Sequence, residues 1–122
     1  MKKIEAIIRP DRLQAVQDAL DALGGSGLTI TEVLGCGQQR GYTETYRGAR
    51  ANISLQRKVK VEAVVTDSMA AAVVDAVVSA AKTGEIGDGK IFVLPVEDAI
   101  RVRTGERGEE IVRHLELEHW GH

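Results

Sequence analysis

Two short runs gather residues suited to holding an anion. The first is Thr83-Gly84-Glu85-Ile86-Gly87-Asp88-Gly89-Lys90. Closely spaced glycines let backbone N–H groups approach a phosphate oxygen, and Lys90 adds a point charge. It is not a Walker loop, because the spacing before Lys90 differs and Ile91 stands where Ser or Thr would be needed. A helix stop followed by a tight turn accounts for the same glycines. The second run is Arg101-Val102-Arg103-Thr104-Gly105-Glu106-Arg107-Gly108. On an extended segment Arg101 and Arg103 face the same side. Adjacent guanidinium groups repel unless an anion lies between them, and a di- or triphosphate meets that need bidentately. The alternative is an exposed pair balanced by Glu97, Asp98, Glu106 and Glu109.

A third stretch runs from Gly37-Gln38-Gln39-Arg40-Gly41 through Tyr46-Arg47-Gly48-Ala49-Arg50. Its glycines suit backbone capture of a small anion, and its reach suits contact with a partner; a plain disordered insertion reads the same way. The three histidines, His114, His119 and His122, cluster at the C-terminus with Glu118. Imidazole and carboxylate donors suit Zn, Cu, Co or Ni, and His114 and Glu118 stand one helical turn apart. An ordinary packed tail anchored by Trp120 is the competing account.

The elements that must position these residues follow from periodicity. Lys2 to Arg9, with Ile4, Ile7 and Ile8, predicts a strand ended by Pro10. Leu13, Val16, Leu20 and Leu23 form one stripe of a helix from about Asp11 to Leu23, stopped by Gly24, Gly25 and Gly27. Leu28 to Gly35 predicts a second strand, and Gly35 to Gln56 a long loop. Val59, Val61, Ala63 and Val65 alternate with polar residues in a third strand, Lys58 to Thr66. Ser68 to Lys82 predicts a helix capped by Asp67 or Ser68, with Met69, Val73, Ala76, Val77 and Ala80 buried. Lys90 to Leu94 predicts a fourth strand ending at Pro95, and Ala99 to Val102 a short edge strand. A short helix to about Glu118 follows the second anion run. The order β-α-β-β-α-β predicts an α+β fold: a ferredoxin-like sandwich of an antiparallel sheet with both helices on one face.

With 122 residues, a single domain spanning 1–122 is expected, with a C-terminal extension at about 109–122. Hydrophobic residues at 43% and charged residues at 28% predict an ordered globular chain rather than a disordered one. A net charge of −2 provides no general basic field for nucleic acid, and aromatic residues at 3% are too few for base-stacking platforms. Cys36 is the only cysteine, which excludes an internal disulfide. The N-terminus lacks an apolar signal region and no apolar run reaches the roughly 20 residues that span a bilayer, so the cytoplasm is the expected location and no membrane insertion is expected. No nucleophile–base pair is evident, so no catalytic residues are assigned and an enzyme is not expected.

The Thr83–Lys90 run followed by Ile91-Phe92-Val93, and then Arg101 to Gly108, resembles the C-terminal signature of PII nitrogen-regulatory signalling proteins. Thr31-Glu32-Val33 with Gly35 and Gly37, Tyr46-Arg47-Gly48-Ala49, and Lys58-Val59-Lys60 agree with it in order and spacing. The resemblance covers roughly Met1 to Glu109. It implies a homotrimer that binds ATP or ADP in clefts between subunits. Gly87, Asp88, Gly89 and Lys90 of one subunit would hold the phosphates, and Arg101 and Arg103 of the next would reach them. Thr29, Glu62 and the backbone around Val64 would sit near adenine and ribose, with Gly35, Cys36, Gly37 and Gln38 in the same cleft. It further implies an effector such as 2-oxoglutarate, bound beside Mg-ATP at the base of the long loop by Gln39, Lys58 and the backbone of Gly37, Arg40 and Gly41. The loop would then bind or release a membrane transporter or metabolic enzyme.

The sequence departs from that pattern. Ala51 replaces the tyrosine that accepts a nucleotidyl group in the family, and Ala49 replaces a serine phosphorylated in some relatives. Gln38 stands where an arginine usually contacts the terminal phosphate, which predicts weaker discrimination of ATP from ADP or AMP. Arg40, Arg47, Arg50, Arg57 and Lys58 make the loop basic, which suits an acidic partner or a small anion such as bicarbonate. The C-terminus runs past the usual end, and threefold symmetry could triple its metal ligands. A regulator of a metal or inorganic-carbon response is therefore the second reading.

Overall fold

The computed structural model describes residues 1–24, 27–38 and 53–113. Four strands form one antiparallel sheet: β1 (Lys2–Ile8), β2 (Thr29–Gln38), β3 (Ile53–Val65) and β4 (Lys90–Pro95), in the order β2-β3-β1-β4. Helices α1 (Leu13–Asp21) and α2 (Asp67–Ala81) pack on one face. The α+β ferredoxin-like architecture expected from periodicity is the one observed.

Strand alternation builds the core. Ile4, Ala6 and Ile8 of β1 and Val59, Val61, Ala63 and Val65 of β3 turn inward beneath Val16 and Leu20 of α1 and Val73, Val77 and Ala81 of α2. All are nearly inaccessible to water. The opposite face carries Lys3, Glu5 and Ile7 of β1 beside Lys58, Lys60 and Glu62 of β3, because cross-strand partners share a face. The helices thus cover one side, and the chemistry-bearing residues of the central strands stand on the other.

Four boundaries differ from the sequence expectation. The stretch from Gly35 to Gln56 is not all loop: β2 continues to Gln38 and β3 begins at Ile53, in register from Gly35↔Gln56 to Gln38↔Ile53. Gly35 and Gly37 read as breakers, yet Gly35 serves the ladder by leaving room: a Cβ there would lie 3.1 Å from Lys58 Cγ. The first helix opens with a 3₁₀ turn at Pro10–Arg12, where proline supplies the fixed φ but no N–H. Helix α2 has Thr66 at its N-cap, without a side-chain cap bond; Asp67 instead pairs with the N-terminal ammonium at 3.1 Å. The Ala99–Val102 edge strand reduces to a single bridge, Ile100↔Arg107, within a local hairpin rather than the sheet. Beyond it a 3₁₀ turn covers Glu109–Val112 and buries Val112; the rest of the expected helix to Glu118 lies outside the described residues.

Arg12 joins the two helices. Its Nε and Nη2 donate to the Ala80 carbonyl at 3.0 and 2.7 Å, satisfying one of the acceptors that every helix C-terminus leaves unpaired. Arg12→Ala is expected to lower stability by about 1 kcal/mol through that lost charge-assisted pair, measured as a shifted midpoint in urea unfolding.

Candidate functional site

The glycine-rich run folds around one carboxylate. Asp88 Oδ2 accepts the backbone N–H groups of Thr83 and Gly84, each at 2.8 Å, and Oδ1 accepts the Thr83 hydroxyl at 2.5 Å. Arg9 completes the bracket, with Nε on Asp88 Oδ1 and Nη2 on the Ile86 carbonyl, both at 2.9 Å. Four donors therefore share the two oxygens of Asp88, which makes it the organiser of the loop and leaves it poorly suited to act as a base. Those bonds, led by the Thr83 hydroxyl and then the Thr83 N–H, hold its carboxyl far below the usual range.

Two glycines are required here. Gly87 and Gly89 have φ of +105° and +102°, in the region side chains disfavour. At Gly89 a Cβ would come within 1.8 Å of the Ile7 carbonyl oxygen, so the loop lies directly on β1. Among the described residues no hydrogen bond engages the N–H of Gly87 or Asp88. Lys90 opens β4 immediately after.

Lys58 links this loop to the β2–β3 hairpin. Its side chain passes over Gly35, and its Nζ donates to the Gly87 carbonyl at 2.5 Å. Gly35, Lys58 and Gly87 to Lys90 thus form one cluster at one end of the exposed sheet face, with Arg9 behind them. Cys36 is exposed nearby on the strand, cross-strand from Leu55. Gly37 and Gln38 follow in β2, while Gln39, Arg40 and Gly41 lie outside the described residues.

Thr29 and Glu62 form a separate cluster. They are direct cross-strand partners, and Val64 lies two residues along β3 on the same face. Thr29 and Gly35 stand six positions apart on β2, roughly 20 Å at ~3.3 Å per residue. The Arg101–Gly108 run is a third unit, a tight reversal held by Gly105 N–H to Arg101 O at 2.7 Å and Arg101 N–H to Glu106 O at 2.8 Å. Val102 to Thr104 turn rather than extend, so strand alternation does not align Arg101 with Arg103 as the sequence suggested. Gly105, at φ +76°, permits the reversal. Arg101 is half-buried and 3.7 Å from Glu106, Arg103 is exposed, and Arg107 pairs with Asp98 at 2.8 Å. Among the described residues no hydrogen bond or ion pair joins this hairpin to the glycine loop.

Arg9 and Lys3 escaped the sequence reading. Arg9 was readable only through topology: antiparallel β1 and β4 bring the end of one against the start of the other. His114, Glu118, His119 and His122 lie outside the described residues, and among the described residues no three potential metal-ligating side chains cluster. No helix of the described residues is long and apolar enough to cross a membrane.

The four-stranded sandwich, with its carboxylate-organised glycine loop and the β2–β3 hairpin beside it, defines a class of small α+β protein, and comparison with known chains identifies it. The family model described as nitrogen regulatory protein P-II matches residues 1–106. The nitrogen regulatory protein P-II of Cereibacter sphaeroides is 57% identical over 112 residues, covering 92% of this chain and all of the relative. That of Azospirillum brasilense is 51% identical over the same spans. The crystal structure of Arabidopsis thaliana PII bound to citrate superposes with a TM-score of 0.73 at 45% identity, covering 89% of each chain. The chain belongs to the P-II family of nitrogen regulatory proteins, a family of regulators rather than enzymes.

The Asp88 bracket makes a pH prediction. Because its folded pKa lies below the ordinary value of 3.8, its stabilisation is fully present above that value and is lost as pH falls through and below it. The stability difference between the wild type and Asp88→Asn should be constant from about pH 8 to about pH 5 and shrink below about pH 4, read by urea unfolding across that range. Gly89→Ala should displace the loop from β1, seen in hydrogen exchange as lost protection of the Thr83, Gly84 and Glu85 amides that the Asp88 bracket holds.

Proposed function

We propose that this chain is a cytoplasmic P-II-type signalling regulator that binds adenine nucleotides between the subunits of a homotrimer and controls a transporter or enzyme by direct contact. One observation carries the reading: the residues assigned to the nucleotide fall into clusters that a single chain keeps apart. The phosphate-holding group, Gly87, Gly89 and Lys90 with Gly35 beside them, stands roughly 20 Å along the sheet from the adenine-side group, Thr29, Glu62 and Val64. Arg101 and Arg103 sit on a third unit. Such a division makes sense when one subunit supplies the phosphate cradle and its neighbour supplies the rest. Exposed Phe92 and Leu94, on the face the helices leave open, offer apolar surface for the contact between subunits.

Asp88 acts on the phosphates indirectly, by holding the N–H groups of Gly87 and its neighbours in position. Phosphate then finds N–H donors, the Lys90 ammonium and two guanidinium groups, with magnesium accompanying ATP through Gln39.

The effector reading concerns Lys58. It is a cation at the base of the hairpin, and a dicarboxylate such as 2-oxoglutarate, or bicarbonate, would compete with the Gly87 carbonyl for it. The citrate carried by the Arabidopsis relative, itself a polycarboxylate, supports a carboxylate ligand in this family. An effector that exchanges one Lys58 partner for another would bias the hairpin between states, which is what a contact switch requires. The molecule is a single domain on this reading, with residues from about 109 onward as a C-terminal extension.

Light scattering should give a mass near three times the 13.2 kDa chain. Calorimetric titration should give saturable binding of ATP and ADP, with the two within about tenfold of one another because Gln38 offers the terminal phosphate no charge. Arg103→Ala should weaken ATP roughly tenfold or more without disturbing the trimer. A monomer, or ATP affinity unaffected by Arg103→Ala, Lys90→Ala and Gly87→Ala alike, would overturn the proposal.

A further inference from the structure

Glu62 and Glu5 face each other directly across β3 and β1, which sets two carboxylates side by side on the open face of the sheet. Like charges in that position destabilise a strand pair, and without a cation one would protonate or swing away. Lys3, paired with Val64 in the next row, resolves the conflict: its Nζ lies 2.9 Å from Glu62 Oε2 and 3.8 Å from Glu5 Oε1. All three side chains are one-fifth to one-third exposed, so the group is partly desolvated. On the other side of Glu62 stands Thr29, its cross-strand partner in β2.

Resting on the nucleotide reading above, we propose that Lys3 is a positioning residue for nucleoside recognition: it clamps the Glu62 carboxylate beside Thr29, where it accepts a hydrogen bond from a ribose hydroxyl or exocyclic amino group. Surface ion pairs of this kind contribute little to stability, so the value of the clamp lies in orientation and charge. An ionised carboxylate is an acceptor only, and it must stay ionised for that bond to form.

The groups facing Glu62 are Lys3 and Glu5 from β1, Thr29 and Thr31 from β2, and Lys60 from its own strand; the helices lie on the other face. The Lys3 hydrogen bond is the largest influence and holds the Glu62 carboxyl below its usual range, against the opposing effect of burial and with help from the charges of Lys3 and Lys60. Remove Lys3, and Glu5 remains opposite. The Glu62 carboxyl then moves up, and a site that needs the carboxylate loses affinity as pH falls.

The test is calorimetric titration of ATP into the full chain and its Lys3→Met, Lys3→Arg and Lys3→Met/Glu5→Gln variants at about pH 5.5 and about pH 8, with the Glu62 carboxyl followed by carbon NMR without nucleotide. Relative to the wild type, Lys3→Met should lose about twofold or more additional affinity at the lower pH than at the higher. Lys3→Arg and the double variant should each reduce that difference, and the Glu62 midpoint should rise in both variants that lose the Lys3 cation, most in Lys3→Met, and stay near the wild type in Lys3→Arg. Lys3→Gln replaces Lys3→Met if the latter does not fold. Binding by Lys3→Met that tracks the wild type at both pH values, with the Glu62 midpoint unmoved, overturns the role of Lys3 while leaving the nucleotide reading intact. A wild type that takes no ATP overturns the nucleotide reading, and this proposal with it.

Discussion

The Lys58 ammonium against the Gly87 carbonyl is the interaction on which the rest of the site depends. It joins residues 29 positions apart, one on the β2–β3 hairpin and one in the glycine loop, at a distance of 2.5 Å. The lysine stem that reaches Gly87 packs closely over β2 where no Cβ obstructs it, and Gly35 is the residue that stands there. Arg9 approaches the same loop from β1, so two cations from different strands converge on one turn of chain. That convergence would be unfavourable without a compensating anion close by, and Asp88 provides it. The glycines of this region are therefore best understood as clearance: Gly35 admits Lys58, Gly87 sits against Arg9, and Gly89 lets the loop lie on the Ile7 carbonyl.

The sheet divides labour between its faces. Valine, isoleucine and alanine point inward from β1 and β3 and are covered by both helices, which fixes strand register, because a one-residue slip would send every one of them outward. Once the inward set is fixed, the outward set is fixed as well: Lys3, Glu5, Lys58, Lys60 and Glu62 have no freedom to stand elsewhere. Packing on one face thus determines electrostatics on the other. The Glu5–Glu62 opposition is a consequence of that coupling, and Lys3 is its local remedy.

This explains how much was legible in the sequence. The two helices and the alternation of β3 were, because their periods are local and their buried stripes, centred on Val16, Leu20, Val73 and Val77, leave a repeating trace. The glycine loop and the Arg101–Gly108 run were legible as well, since closely spaced glycines and arginines stand out in composition. What failed was contextual. Gly35 carries the same letter whether it breaks a strand or clears a path through one, so sequence alone predicts too short a hairpin. Strand alternation predicts a shared side for Arg101 and Arg103, and the reversal at Gly105 denies it. Arg9 and Lys3 were missed because an isolated cation in an amphipathic strand is unremarkable until antiparallel pairing sets it beside Asp88 or Glu62. Cross-strand neighbours are separated by tens of residues, and a single sequence does not mark them.

A site divided among chains also changes what binding means energetically. On the proposed reading, a nucleotide contacts the glycine loop of one subunit and Thr29, Glu62 and the arginine hairpin of another, so it binds the assembly and not the separated chain. Any ligand with that preference stabilises the assembled form by mass action, in proportion to the logarithm of its concentration over its dissociation constant. Nucleotide would then bear on the β2–β3 hairpin in two ways: through the loop that Lys58 touches within its own subunit, and through the neighbour that must be in place for the cleft to exist. The first route runs through a single hydrogen bond, which a competing carboxylate can take over. The second runs through the whole interface, which it cannot. Effector and nucleotide would therefore act on the same hairpin with separate physical leverage, the small anion on its base and the nucleotide on the assembly that holds it.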